Sequence, residues 1–188
     1  MAALLGAELP QAQSICEEAA VFRREDGDEE RQVVEVANDN GGGQVVISGD
    51  REAVERAVAL AKTRGVRRAM LLPVSAPFHC TLMAPAARVM QAALAETDMR
   101  PPVVAVIANV SAERTTDPDE IRDLLVRQVT GMVRWRECML AAMAVGVDSF
   151  VELGAGKVLS SLAKRINSEL AAMNAGTPGE IETLLKQL

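Results

Sequence analysis

Pro73-Val74-Ser75-Ala76-Pro77-Phe78-His79-Cys80 holds the single histidine of a 188-residue chain. A lone histidine has two readings: a structural residue, or a general base, since imidazole is the side chain whose ordinary pKa lies nearest neutrality. The local sequence positions it. Pro77 stiffens the segment and biases Ala76 toward extended backbone. An apolar run, Met70 to Pro73, comes before, and a helical pattern comes after. His79 therefore sits where a strand or loop enters a helix, a place that catalytic side chains often occupy.

Upstream of this stretch, Met1–Gly6 reads as a short apolar strand. A helix from Pro10 to about Ala20 follows, with Ala12, Ile15, Cys16 and Ala19 on one face. The charged run Arg23–Arg31 reads as a solvated loop. Val33–Ala37 and Gln44–Ser48 read as strands joined by Asn38-Asp39-Asn40-Gly41-Gly42-Gly43, residues that tolerate positive φ. Asp50 is placed to cap a helix from Arg51 to about Thr63, ended by Gly65, and Val66–Pro73 is a strand. The order strand, helix, strand, strand, helix, strand is the ferredoxin-like (βαββαβ) pattern. It closes on itself within 73 residues, which predicts a boundary between a subdomain at 1–73 and a second at 74–188.

Downstream, a helix is expected from Leu82 to Glu96 with Met83, Ala86, Ala87, Met90, Ala93 and Leu94 as its apolar stripe. Arg100-Pro101-Pro102 breaks the chain. Val103–Val110 reads as a buried strand rich in β-branched residues. Helices are expected from Pro118 to Thr130, capped by Asp117, and from Trp135 to about Val145. Ser149–Leu153 reads as a strand, Lys157 to about Met173 as a helix, and Gly179–Leu188 as a last short helix. Strands alternating with helices predict part of a parallel α/β sheet. Only two strands are legible in this half, too few for a stable sheet of their own.

A hydrophobic content of 49% with 24% charged residues is globular, and with three Phe, one Trp and no Tyr the core must be aliphatic. The net charge of −6 argues against a nucleic-acid partner. It leaves room for an acidic protein partner, which needs only a local basic patch. Cys16, Cys80 and Cys138 are scattered and lack CxxC spacing, which reads as reduced thiols in a cytoplasmic protein. One histidine makes a zinc site an unusual proposition. No run approaches the ~20 apolar residues of a membrane span, so no membrane partner is expected.

Val74-Ser75-Ala76-Pro77-Phe78-His79-Cys80, together with Glu152-Leu153-Gly154-Ala155-Gly156-Lys157-Val158-Leu159, resembles the malonyl-CoA:acyl-carrier-protein transacylases of fatty-acid synthesis. Met1–Gly6 is similar to a strand in the middle of those enzymes, and Ala37–Asn40 with Gly43–Gly49 to their hairpin. The family's Gly-Gln-Gly loop and its Gly-His-Ser-Leu-Gly nucleophile elbow do not occur here. The chain thus resembles the family's C-terminal portion. The implied fold is a ferredoxin-like subdomain followed by the C-terminal part of an α/β-hydrolase-like acyltransferase domain.

The resemblance implies malonyl transfer from malonyl-CoA, as substrate, to the phosphopantetheine thiol of acyl carrier protein, with no bound cofactor. It makes His79 the general base, oriented by the backbone carbonyl of Gln128 in Val126-Arg127-Gln128. Read without the family, Gln128 is a polar residue late in a helix. Phe78 would lie beside the acyl group. In related domains Phe here accompanies malonyl, because a ring leaves no room for a methyl, a discrimination worth about 1–3 kcal/mol; a packing Phe is equally compatible. Asn38 and Asn40 match asparagines that face the acyl cleft, and read equally well as turn residues. The nucleophilic Ser and the Arg for the malonyl carboxylate would come from an N-terminal segment or a second chain. Cys80 adjoins His79 but points the other way in an extended segment, and Ser75 lacks a Gly-x-Ser-x-Gly context. Gly154-Ala155-Gly156-Lys157 is not a Walker loop. It reads as a strand-to-helix turn beside the family's active site, and the helix N-terminus there could favour an anion. The alternative is a non-catalytic remnant or binding module built on the ferredoxin-like subdomain; strands without aromatics speak against RNA binding.

Because the chain carries no nucleophile elbow, incubation with malonyl-CoA should leave its intact mass unchanged; a stable malonyl adduct on one Ser or Cys would contradict this reading.

Overall fold

The computed structural model describes residues 1–23 and 27–187. By its internal contacts the chain divides into two compact units, Met1–Cys138 and Met139–Leu188. In the first unit, β1 (Ala2–Leu5), β4 (Val34–Asp39), β5 (Gln44–Gly49) and β6 (Arg68–Leu71) form one antiparallel sheet in the order β4-β5-β1-β6. The register sets Ala2 opposite Ile47 and Leu4 opposite Val45. These four side chains share one face, as the period of two requires. Against them lie α1 (Leu9–Ala20) and α2 (Arg51–Thr63) through Ala12, Ile15, Cys16, Ala19, Ala53, Val54, Ala57 and Ala61. Alanine at so many inward positions lets both helices approach the sheet closely. Ala3, Val46 and Ser48 on the opposite face are buried as well.

The charged run is not wholly a loop. Val21–Arg23 (β2) and Glu29–Arg31 (β3) pair as a short antiparallel ladder; residues 24–26 at its tip lie outside the described residues. Arg56 anchors the base, with its guanidinium 4.6 Å from the Phe22 ring centroid and its Nε donating to the Ala19 carbonyl. Asp50 stands at the start of α2 but does not cap it. Its carboxylate accepts from the Val33 amide at 2.8 Å, tying β4 to the end of β5.

Further along are a 3-10 turn (Thr81–Met83), α3 (Ala84–Ala95), α4 (Pro118–Thr130) and α5 (Trp135–Ala144), whose last residues pass into the second unit. Asp117 caps α4 as expected, accepting from the Asp119 amide at 2.8 Å. The stripe on α3 is not a core face, since none of its residues is buried. Val103–Val110 is not a buried strand either. Only Val106–Ile107 (β7) pairs, with Arg114–Thr115 (β8), and Val103 is fully exposed. β propensity reports packing against neighbours, and this segment finds only a two-residue return strand.

In the second unit, β9 (Ser149–Leu153), α6 (Val158–Ile166), β10 (Ala171–Ala175) and α7 (Pro178–Leu185) follow in order, with Leu188 outside the described residues. The expected helix through Met173 stops seven residues early. The Asn167 side chain accepts from the Glu169 amide, and Ala171–Ala175 pairs in parallel with β9. Alanine-rich sequence favours helix locally; the ladder to β9 overrides it, with α6 as the crossover. Among the described residues, no helix is long and apolar enough to cross a membrane.

Gly49 meets the end of β4 so closely that an added Cβ would stand 2.0 Å from the Val33 carbonyl oxygen. Gly49→Ala should therefore cost at least about 1–3 kcal/mol of unfolding free energy, read as a lowered urea midpoint. An unchanged midpoint would show that β4 can move aside without penalty.

Candidate active site

His79 lies between β6 and the 3-10 turn with φ of +59°, one of two non-glycine residues at positive φ among those described. For an L-residue this conformation costs roughly 1–2 kcal/mol, so its surroundings must enforce it. Cys80, next in sequence, is fully buried, and its thiol donates to the Pro77 carbonyl at 3.1 Å. Thr81 is held by Glu35 of β4, whose two carboxylate oxygens accept from the Thr81 amide and hydroxyl, each at 2.9 Å. The imidazole is held from the other side by α4.

The last carbonyls of a helix have no partner within it. At the end of α4 the Arg127 carbonyl accepts from the Gly131 amide at 2.9 Å, and the Gln128 carbonyl lies 3.0 Å from His79 Nδ1. A carbonyl only accepts, so Nδ1 carries the proton, and the lone pair of the neutral ring is on Nε2. The Gln128 side chain serves the same turn, its Nε2 donating to the Gly131 carbonyl at 2.9 Å. The same Nε2 stands 3.5 Å from Nδ1; both are donors, so this is an approach and not a hydrogen bond. Gln128 Oε1 is buried without a partner.

Phe78, His79 and Gln128 border one open hollow of about 410 Å³, completed by Met83, Met90, Leu125 and their neighbours. Its lining is almost wholly apolar, and Phe78 is 41% exposed. Asn38 and Asn40 are not part of this hollow. Asn38 sits at a bulge in β4 where the strand bridges to Val133, and Asn40 is buried in the turn, its amide bonded to the Gln44 carbonyl at 3.0 Å. Between them Asp39, almost fully buried, accepts from Arg136 Nε at 2.8 Å. Neither Glu35 nor the Asp39–Arg136 pair was singled out from the sequence. Alternation along β4 would have placed Glu35 on the strand face away from Val34 and Val36, but nothing local named Thr81 as its partner.

Burial pushes the Cys80 thiol up from its ordinary range, so this thiol donates and is a poor nucleophile. In the second unit the turn after β9 is closed by the chain itself. Glu152 accepts from the Ser160 hydroxyl at 2.6 Å, from the Ser160 amide at 2.8 Å and from the Leu159 amide at 3.1 Å. The Ser160 hydroxyl first, then these amides, hold its carboxyl below the usual carboxylate range. The N-terminus of α6, where an anion was a possible reading, is thus occupied by the chain's own carboxylate. Among the described residues no group of three or more His, Cys, Asp or Glu could hold a metal ion.

The acyl transferase domain family matches residues 9–176. The malonyl CoA-acyl carrier protein transacylase of Escherichia coli K12 is 42% identical over 186 residues, 99% of this chain and 57% of that protein. The Bacillus subtilis protein of the same name is 38% identical, over all of this chain and 57% of its own length. The chain therefore spans a little over half of the curated relatives it matches. Among solved structures, the acyl-carrier-protein S-malonyltransferase of Bartonella henselae superposes with a TM-score of 0.88 at 49% identity, covering 99% of this chain and 56% of that one. A type II PKS acyl-carrier protein in complex with its malonyl-transacylase matches with a TM-score of 0.89 at 35% identity, covering 100% and 58%. The fold is the α/β fold of these acyl transferases.

Burial pushes the Cys16 thiol from its ordinary 9.0 up to about 12 and that of Cys138 up to about 11. Below pH 9.0 folded and unfolded thiols are both protonated. Above it the unfolded chain gives up protons that the folded chain keeps, so stability falls as pH rises from 9.0 toward 11. Denaturant midpoints on either side of this window should drop more for the wild type than for Cys16→Ala; equal drops would show that Cys16 is not the source.

With the family matched from residue 9 to residue 176, this chain belongs to the acyl transferase domain family.

Proposed function

We propose that these residues serve malonyl transfer from malonyl-CoA to the phosphopantetheine thiol of acyl carrier protein in fatty-acid biosynthesis, with His79 as general base. The observation that carries the reading is the 3.0 Å approach of His79 Nδ1 to the Gln128 carbonyl. It commits Nδ1 as donor and leaves the Nε2 lone pair to accept a proton. In the first half-reaction Nε2 takes the proton of a serine hydroxyl as its oxygen attacks the malonyl thioester, and returns it to the departing CoA sulfur. In the second, Nε2 takes the proton of the phosphopantetheine thiol. The sulfur attacks the malonyl ester, and the proton returns to the serine oxygen. No resident cofactor is needed. Neither a serine in the family's elbow motif nor the family's carboxylate-binding arginine is among these residues, so both are supplied from elsewhere, in the same polypeptide or another. The chain by itself is then inactive.

In this reading Phe78 meets the acyl group at the mouth of the apolar hollow, and its exposure there supports the role. Asn38 and Asn40 border no part of this hollow, and a place for them facing the acyl cleft rests on the family resemblance alone. We take residues 1–73 as a ferredoxin-like subdomain, supported by the order β4-β5-β1-β6 with two helices on one face, and 74–188 as the C-terminal part of the acyltransferase domain. A cytoplasmic location fits three unpaired cysteines.

The test supplies the serine-bearing segment, fused to Met1 or co-expressed. Transferase activity should appear, and His79→Ala should lower kcat/KM by ~10²–10⁴. Gln128→Ala should cost far less, because the orienting carbonyl is retained. Equal losses would move the orienting role to the Gln128 side chain, and no loss in either would make His79 a structural residue.

A further inference from the structure

His79 holds a positive-φ backbone that is uncommon for a non-glycine residue, and the group that fixes the next turn comes from a strand 46 residues earlier in sequence. We propose that Glu35 is a positioning residue for His79. Its carboxylate clasps Thr81 and so holds the imidazole with Nδ1 on the Gln128 carbonyl. This rests on the reading of His79 as the base. Three anchors surround residue 79. Cys80 is buried with its thiol on Pro77, Thr81 is clasped at both amide and hydroxyl, and the ring itself is tied to α4. The first two act on the backbone that carries the ring. Of these, only the Glu35 clasp reaches across the fold, from β4 to the start of the 3-10 turn. A carboxylate can accept both bonds at once, and bonds to an ionised acceptor are the stronger kind. It also supplies the amide of Thr81 with a partner that the turn itself does not provide. Without the clasp, the segment from Cys80 can relax residue 79 out of the left-handed region. The ring then swings off the carbonyl, and Nδ1 is no longer committed as the donor.

The chain has one histidine, so its ring nitrogens can be read without ambiguity by ¹⁵N nuclear magnetic resonance of the full 188-residue chain. In the wild type the neutral ring should carry its proton on Nδ1. If it does not, the reading of His79 as an oriented base fails, whatever Glu35 does. In Glu35→Ala the Nδ1–H form should lose its majority, seen as convergence of the two ring ¹⁵N shifts, while backbone amides of the sheet keep their positions. Thr81→Ser, which keeps both donors, should match the wild type. A clasp that served stability alone would lower the melting temperature and leave the tautomer intact, and that result would overturn the proposal. If Glu35→Ala does not fold, Thr81→Val decides. It removes the hydroxyl limb at an exposed position, and an undiminished Nδ1–H population in that variant would equally overturn the proposal.

Discussion

The approach of the His79 ring to the Gln128 carbonyl joins segments 49 residues apart, and much of the first unit serves to bring it about. For the carbonyl to be free, α4 must end at Thr130 and turn away at Gly131. A side chain there would meet Arg127 O at 2.9 Å and Val110 Cγ2 at 2.7 Å, so glycine is needed for space and not for an unusual φ. For the ring to reach it, His79 must hold a left-handed backbone, and the residues that follow it must keep it there. Buried Cys80 and clasped Thr81 supply that restraint. The four-stranded sheet meets this segment through β4, from which Glu35 reaches the Thr81 amide and hydroxyl.

What could be read from the sequence follows the range of the interactions. The first sheet was legible because each element carries its own signal. Ala12, Ile15, Cys16 and Ala19 repeat at helical spacing, Asn38 to Gly43 is rich in turn residues, and Gly65 closes α2; all of these act within a few residues. His79 was legible as the only residue of its type. Elements stabilised from a distance were missed. Ala171–Ala175 is a strand only because Ser149–Leu153 lies beside it. Val103–Val110 has the composition of a strand and few partners to pair with. Asp50 stands where a local cap is expected, yet its carboxylate accepts from the Val33 amide across the sheet. Glu35 is the clearest instance, since a glutamate in a strand says nothing of a threonine amide far along the chain.

The site therefore combines two kinds of specification. In the proposed reaction His79 and Phe78 would act through their side chains, so substitution would report on them directly. The acceptor at position 128 is a peptide oxygen, common to every residue, and its aim comes from the course of α4.

That has a consequence for how such a site tolerates change. An α-helix turns by about 100° per residue. One residue inserted into or removed from α4 would swing the terminal carbonyl around the helix axis and away from the ring, although every side chain of the hollow remained in the sequence. For this acceptor the length of the helix is the heritable quantity and the identity of the residue is not. The tolerance to be expected at position 128 is broad for substitution and narrow for insertion or deletion anywhere between Asp117 and Gly131.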